Sequence, residues 1–474
     1  MAALHDDESS RSLASTKPIL PASYASNDMT YSFIAASFLS LSSRRRLTVV
    51  TLFITGLIIT TIMKREELFW LLTVAAGAKP LLEQGQISAF DFPGLRFGFD
   101  RQLKITIFED LHFGEDLWPD GKSNDPRSIK LMNDVLDWEP TDLAVLNGDL
   151  LTCEAAQLSS NYTQYIDRIV QPLVDRDIPW ASTYGNHDRS SGCSARALLE
   201  REKTYNLGDK KRSWTESSVP GEDDQVGSSN YYIPIYSSGG GNAKLVMLLW
   251  FFDSRAGGAF DQTTADGKDV ALEDFVAPEV VGWFGATKNA IFNQYGRQIP
   301  SLAFVHIPIQ ASTGLQDLRR EGKANAPGID AEAIGHQANT CDNSGNCFYN
   351  SKDSPFMRAL VETEGLLAIF SGHDHAVDWC MKWSNDQPLA ATDPATGNGL
   401  NVCFGRRSGF GGYDKRFAKG ARKIVVHEDD IERSVAETWV RLEDGNISGS
   451  ITLNTTYGAD VYPAAPGQNE TSFR

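Results

Sequence analysis

From residue 92 onward the chain alternates short apolar runs with amphipathic stretches and polar turns, the signature of strands exchanged for helices. Residues 95–99 and 103–108 predict a hairpin about Asp100-Arg101-Gln102. A helix follows, with Asp125 as N-cap, Pro126 at its first position, and Ile129, Met132, Val135 and Leu136 at helical spacing. The run Leu143-Ala144-Val145-Leu146 predicts a buried strand ending in Asn147-Gly148-Asp149. A helix over 162–174 leads to another strand over 178–184, which runs into Gly185-Asn186-His187-Asp188. Strands alternating with helices in this order imply parallel pairing through βαβ crossovers.

Further along, 194–201 predicts a helix, 220–229 and 237–242 loops, 244–252 a strongly apolar strand and 280–295 an amphipathic helix. A strand over 302–305 ends in His306 and precedes a long polar insertion. A helix over 355–364 then feeds a strand over 366–370, which ends in Ser371-Gly372-His373-Asp374-His375. The strands expected at 400–404, 423–426, 438–442 and 448–453 have no helices between them, so that part of the sheet is expected to be antiparallel. The fold class is α/β, and no internal repeat is present.

The N-terminal region differs. Residues 1–43 are rich in Ser, Ala and Thr and are expected to be a disordered, cytosolic tail. Arg44-Arg45-Arg46 then precede an uncharged run over 47–63, 17 residues long, which predicts a signal-anchor transmembrane segment over 44–65. Residues 66–91 form a juxtamembrane linker whose apolar patch, 68–78, is too short to span again. The main domain is expected over 92–460, with a C-terminal tail over 461–474. Sequons at Asn161, Asn446, Asn454 and Asn469, and six cysteines confined to the same side, place that domain in a lumenal, vacuolar or extracellular compartment. No cysteines are spaced C-x-x-C, so a thiolate zinc site is not expected. Cys341 and Cys347 form the candidate local disulfide; six cysteines otherwise allow 15 pairings. A formal charge of −17 argues against nucleic-acid binding. The sequence carries no signal of oligomeric state.

The chemistry collects at strand ends. Five of the eight histidines (His112, His187, His306, His373, His375) lie there, beside Asp110, Asp149 and Asn186. Nitrogen and oxygen donors without thiolate suit Fe, Zn or Mn. Alternate residues of a strand face one way, so Asp110/His112 and His373/His375 can each address one site, and the two imidazoles of the second pair could instead bind neighbouring ions. A carboxylate between two ions can bridge both, and two ions about 3.5–4 Å apart can clamp a phosphoryl oxygen. Gly185 is expected to let the backbone turn tightly there.

The ordered set Asp110-x-His112, Gly148-Asp149, Gly185-Asn186-His187-Asp188, His306 and Gly372-His373-x-His375 resembles the calcineurin-like metallophosphoesterase superfamily. Trp180-Ala181-Ser182 and the stretch Gly405-Arg406-Arg407-Ser408-Gly409-Phe410-Gly411-Gly412-Tyr413 resemble its purple-acid-phosphatase-like branch of plants and fungi, which includes the fungal dosage-dependent cell cycle regulator phosphatases. The resemblance implies a sandwich of two mixed β-sheets flanked by helices (α-β-β-α). It also implies a phosphatase hydrolysing phosphomonoesters by attack of a metal-bridging hydroxide, which the predicted segment over 44–65 would anchor to a membrane. One ion would take Asp110, His112, Asp149 and His375, and the other Asp149, Asn186, His306 and His373. His187 would stabilise charge and protonate the leaving group, with Asp188 orienting it. Purple acid phosphatases carry a tyrosine ligand three residues after the bridging aspartate; here that position is Thr152, which leaves metal identity open.

Arg189, Arg406 and Arg407 are candidate phosphate contacts. His336 and His427 read as surface residues, and Trp118 and Tyr413 either line a mouth or pack. Two other readings are a phosphodiesterase, its substrate including lipid headgroups, and a metal-binding scaffold without turnover.

Overall fold

A computed structural model of the protein describes residues 95–462, apart from 119–120, 160, 240–242, 342–346, 385–387, 391–392 and 414–415. The predicted tail, membrane segment and linker, and Asn469, lie outside the described residues. Among those described, no helix is long and apolar enough to cross a membrane.

Thirteen strands build two sheets: β1 (Leu95–Arg96), β2 (Gln102–Phe108), β3 (Leu143–Asn147), β4 (Trp180–Thr183), β5 (Tyr231–Tyr236), β6 (Leu245–Phe252), β7 (Ser301–Val305), β8 (Leu366–Ser371), β9 (Cys380–Trp383), β10 (Leu400–Phe404), β11 (Gly420–His427), β12 (Ala436–Leu442) and β13 (Ile447–Leu453). The longer helices are α1 (Asn124–Trp138), α2 (Gln164–Asp175), α3 (Ala195–Lys203), α4 (Pro278–Tyr295), α5 (Ala311–Arg320) and α6 (Ser354–Val361). One sheet runs β13-β12-β11-β2-β3-β4 and the other β1-β5-β6-β7-β8-β10-β9. Both are mixed: β2, β3 and β4 are parallel, as are β6, β7, β8 and β10, with antiparallel strands outside them.

The strands read as unbroken apolar runs because both of their faces are buried. Ile105, Ile107 and Val145 of one sheet meet Leu249, Phe251, Leu302, Phe304 and Phe370 of the other in a central layer. Their sequence neighbours Phe108, Ala144 and Leu146 pack on α1, α2 and α3, while Trp250, Phe252, Ala303 and Val305 pack on α4, α5 and α6. The result is the α-β-β-α sandwich.

An aromatic ladder sets the register of the larger sheet. Tyr231, Phe251, Phe304 and Phe370 are successive register partners on β5, β6, β7 and β8. Their rings stack at 4.6, 5.0 and 5.7 Å. Truncating one such buried ring costs about 3–5 kcal/mol. The ladder fixes where β7 and β8 leave the sheet, and so where His306 and the 372–375 turn emerge. In the other sheet Ile107, Val145 and Ala181 are register partners, which aligns the exits toward Asp110, Asp149 and Asn186.

Several sequence-based expectations are corrected. The turn at Asp100-Arg101-Gln102 forms, with Arg101 N donating to Gly98 O at 2.9 Å. It joins no hairpin, because β1 pairs with β5 while β2 pairs with β3 and β11, so the turn carries the chain between sheets. Asp125 is not an N-cap; it lies inside α1, buried, and pairs with Arg168 at 2.9 Å. The strand at 400–404 is parallel to β8 rather than antiparallel, since the chain returns to its start through 372–399. Cys153–Cys193 and Cys380–Cys403 are disulfides; Cys347 is disulfide-bonded too, and Cys341 is its register partner.

Candidate metal centre

All the predicted ligands lie beyond the C-terminal ends of parallel strands, where α/β sheets place their sites. The 110–113 loop is stitched to the loop after β3 by backbone bonds: Asp110 N to Gly148 O at 3.1 Å, His112 N to Asp149 O at 3.0 Å, Phe113 N to Leu150 O at 2.9 Å. Gly372 N donates to His306 O at 3.0 Å on the opposite side. Asp110, His112, Asp149 and His373 all have left-handed backbones, with φ of 50°, 49°, 48° and 74°. Such conformations cost about 1–3 kcal/mol each and persist where surrounding bonds over-determine them. This corrects the pleat argument. Neither Asp110/His112 nor His373/His375 belongs to a strand; Asp110 and His112, both left-handed, join one cluster, whereas His373 and His375 go to different ones.

Two clusters result. Asp110, His112 and His375 bring ligand atoms within 4.8 Å of one another, and Asp149, His306 and His373 do the same. Asp149 Oδ2 lies 3.1 Å from His306 Nε2 and 3.8 Å from His112 Nε2, so this carboxylate faces both clusters. Asn186 stands in the turn opened by Gly185, and its Oδ1 is buried without a hydrogen-bond partner, as is Asp110 Oδ2. His306 Nδ1 meets Asn147 O at 2.8 Å and His375 Nδ1 meets Tyr413 O at 3.0 Å. A carbonyl only accepts, so both imidazoles donate from Nδ1 and leave Nε2 as the atom available to the site.

The electrostatics also call for cations. Burial raises the pKa of Asp110 to about 7, against His306, with Asp149 raising it further. Burial opposes a charge on His306, yet Asp149 and Asp110 outweigh it and push its pKa up to about 10. Burial holds His112 and His375 well below the usual imidazole value. Buried carboxylates, neutral imidazoles and unpartnered acceptor atoms together fit a pair of metal ions.

Gly185 serves by its size. Its backbone is extended, with φ −100°, which any residue adopts; but a Cβ there would stand 2.2 Å from Asp149 Oδ1 and 2.5 Å from His306 Cδ2. The expectation of a glycine-dependent tight turn gives way to one of close packing.

His187 N donates to Asp149 Oδ1 at 2.8 Å, and its ring Nδ1 meets Glu154 at 3.1 Å. Asp188 does not orient that ring. Its carboxylate accepts from Gly185 N at 2.8 Å and Leu151 N at 2.9 Å, bracing the turn itself. Burial disfavours a charged His187, but Asp149 and then Glu154 outweigh it and push its pKa up to about 9.

A cleft of about 570 Å³ opens over this group, lined by His112, Glu115, Trp118, Asn124, Thr152, Glu154, His187 and Tyr413. Trp118 and Tyr413 thus line the mouth, and Tyr413 also stacks on His375 at 3.9 Å. The three candidate arginines do not reach it: Arg189, Arg406 and Arg407 are 2%, 3% and 2% exposed. Arg189 pairs with Asp253, and Arg406 with Asp378 at 2.7 Å. Arg407 donates to the Tyr413 carbonyl that also holds His375. A guanidinium in a Gly-rich stretch reads as a phosphate contact from sequence, but here each one ties loops together from behind. His336 bonds to Gln337 O at 2.7 Å and His427 closes β11; neither joins the clusters.

Glu154 and Glu115 were not legible as site residues, since isolated acids on short helical turns look like solvated surface. Glu202 carried a signal. Trp180, Ser182 and Tyr184 alternate along β4 and its exit, and all three donate to this fully buried carboxylate at 3.0, 3.0 and 2.8 Å. Three donors on one face of a buried strand require a common acceptor.

A two-sheet sandwich with such a cluster at its strand ends is that of the metallophosphoesterases. Residues 103–377, more than half of the chain, match the calcineurin-like phosphoesterase family, and the chain belongs to it. It is 25% identical over 403 residues to "Probable inactive purple acid phosphatase 14" of Arabidopsis thaliana, covering 76% of this chain and 86% of that protein. It is 25% identical over 351 residues to "Phosphatase DCR2" of Saccharomyces cerevisiae, covering 72% of this chain and 54% of that one. These relatives place it in the purple-acid-phosphatase-like branch. Among solved structures, a dimetal phosphatase from Danio rerio overlays 74% of this chain and 98% of its own, at 11% identity and a TM-score of 0.43.

Proposed function

We propose that the protein is a dinuclear-metal phosphatase hydrolysing phosphomonoesters in the cleft above the two clusters. The observation that carries this reading is the His187–Glu154 pair at the cleft. A module that only bound metal would have no use for a proton donor poised beside it. Asp110, His112 and His375 would hold one ion and Asn186, His306 and His373 the other, with Asp149 shared. Such ions, when bound, supply Lewis-acid charge for a phosphate oxygen and acidify water. The chain's own part is positional and acid–base. Because Nδ1 of His187 is engaged by Glu154, Nε2 is left to give its proton to the departing alkoxide oxygen, whose bond to phosphorus breaks. Trp118 and Tyr413 flank the space that the leaving group would occupy.

The test is metal analysis of the full-length chain together with turnover of aryl phosphate mono- and diesters. Two ions per chain and a preference for the monoester are expected; a strong preference for the diester would make the protein a phosphodiesterase. Three Arabidopsis relatives are named "probable inactive" purple acid phosphatases, which favours a second reading, a metal-binding scaffold. Two bound ions with no turnover on a broad phosphate panel would establish it.

The membrane anchor over 44–65 and a lumenal or extracellular domain are part of the same proposal. The disulfides support it, as they persist in oxidising compartments. In two sequons the threonine hydroxyl donates to the asparagine carbonyl oxygen, Thr163 Oγ1 to Asn161 Oδ1 at 2.8 Å and Thr456 Oγ1 to Asn454 Oδ1 at 2.9 Å. Asn446 instead spends its amide on Asp444 at 2.8 Å. Glycosidase-sensitive mass on peptides bearing Asn161 and Asn454 is the expected outcome.

A further inference from the structure

Thr152 occupies the position at which the purple enzymes carry a tyrosine ligand, and its contacts assign it another task. Its Oγ1 lies 3.0 Å from Glu115 Oε1 and 2.8 Å from His112 Nδ1. A carboxylate accepts, so the single hydroxyl proton goes to Glu115, and toward His112 the oxygen can only accept. Nδ1 of His112 therefore carries hydrogen, and Nε2 presents a lone pair. That atom faces His375 Nε2 at 3.1 Å, whose own Nδ1 donates to the Tyr413 carbonyl. Two lone pairs so close are held facing a common point within the Asp110–His112–His375 cluster. Glu115 is fixed in turn: Gly412 N donates to Oε1 at 2.8 Å and Asn124 Nδ2 to Oε2 at 3.3 Å. It is 7% exposed and Thr152 3%.

We propose that Glu115 and Thr152 are positioning residues, a two-step relay that fixes the tautomer of His112 and thereby sets the affinity of the metal position shared by Asp110, His112 and His375. This rests on the reading of that cluster as one half of a dinuclear site. It differs from a ligand role: Thr152 acts on the ion only through the imidazole.

The test titrates metal-free, full-length wild type, Thr152→Val, Thr152→Ser and Glu115→Leu with Co(II) against a competing chelator, following stoichiometry by elemental analysis and the visible ligand-field spectrum. Wild type is expected to bind two ions. In Thr152→Val one of the two affinities should fall about 10- to 100-fold, the range for lost outer partners of metal-bound histidine, while the other holds. Thr152→Ser should restore it, because serine keeps both hydrogen bonds. Glu115→Leu, which removes the acceptor of the Thr152 hydroxyl, should weaken the same position. Thr152→Val binding both ions as wild type does, or Thr152→Ser failing to restore the lost affinity, overturns the relay. A Thr152→Val chain that does not fold leaves the decision to Glu115→Leu, which has no acceptor for the hydroxyl and whose wild-type affinities would equally overturn it. Wild type binding fewer than two ions removes the dinuclear reading, and the relay with it.

Discussion

The two halves of the metal centre use the same kinds of residue but secure them differently. In the Asp149–His306–His373 half, His306 follows β7 directly and is held by a backbone carbonyl, Asn147 O. In the Asp110–His112–His375 half, His112 stands four residues beyond the end of β2 and is held by a side chain, Thr152, itself held by another, Glu115. A carbonyl at a strand end cannot be removed by substitution without disturbing the sheet, whereas a hydroxyl can. His306 is therefore set by the fold, as is His375 through the Tyr413 carbonyl, whereas His112 is set by the identity of a few side chains. The position of Thr152, beside His112, is also the one where a purple enzyme would have its tyrosine.

Asp149 belongs to both halves, so its substitution erases the comparison. Asp149→Asn removes the charge facing His306 Nε2 and His112 Nε2. Aryl phosphate hydrolysis should fall below detection and metal content should drop at both positions, with the thermal transition retained. Full activity in this variant would refute the whole site.

The next effect is confined to the proton donor. His187→Ala should lower kcat by on the order of 10²-fold or more, and Glu154→Gln by less. The sign of the accompanying pH change follows from the contacts. A general acid works while protonated, so activity declines as pH rises through its pKa. Burial pulls that pKa down, and Asp149 and Glu154 bring it up to about 9. Removing the Glu154 charge lowers it, and the basic limb of kcat/KM should move to lower pH by about one unit. An unmoved limb would mean that Glu154 does not bear on the acid.

The disulfides separate the halves more gently. Cys153–Cys193 closes 40 residues and places Cys153 between Thr152 and Glu154, whereas Cys380–Cys403 closes 23 and ties β9 to β10 in the core. Loop-closure entropy assigns each about 3–4 kcal/mol. Paired Cys→Ser replacement at either should therefore cost similar stability in a denaturant titration. Only loss of Cys153–Cys193 should also reduce turnover, through the turn that carries Thr152 and Glu154. Equal turnover in both would detach that turn from the chemistry.

What the sequence made legible follows the same division. The buried strands are apolar on both faces, so their runs and their ends stand out, and the histidines and acids at those ends are visible as a group. The partners that hold them are not. Glu115 meets Gly412 across 297 residues, and nothing local marks it as buried. Strand β5 carries Pro234 inside it, and proline argues against a sheet interior. Its neighbours show how it is tolerated: β5 lies next to the short outer strand β1. The left-handed turns at Asp110 and His112 were hidden for another reason. Aspartate and histidine adopt such a backbone only where surrounding loops enforce it, and those loops come from elsewhere in the chain.

The smallest effect on catalysis is expected at the arginines, and it decides what meets the phosphate. Arg406 donates through Nη1 to Asp378 and through Nε to Ala418 O at 2.8 Å, a forked arrangement that lysine cannot reproduce. Arg406→Lys should thus cost about 1–3 kcal/mol of stability through unmet buried acceptors, read as a lower denaturation midpoint. KM for an aryl phosphate should stay within about twofold, since no binding energy from this side chain reaches the cleft. Among the described residues lining that cleft there is no lysine or arginine. If KM is indeed unmoved, the negative charge of the substrate is met by the metal positions and His187 alone, and affinity should vanish on metal removal rather than merely weaken. A large rise in KM with the midpoint unchanged would show the opposite, a guanidinium that swings into the cleft and shares the phosphate with the ions.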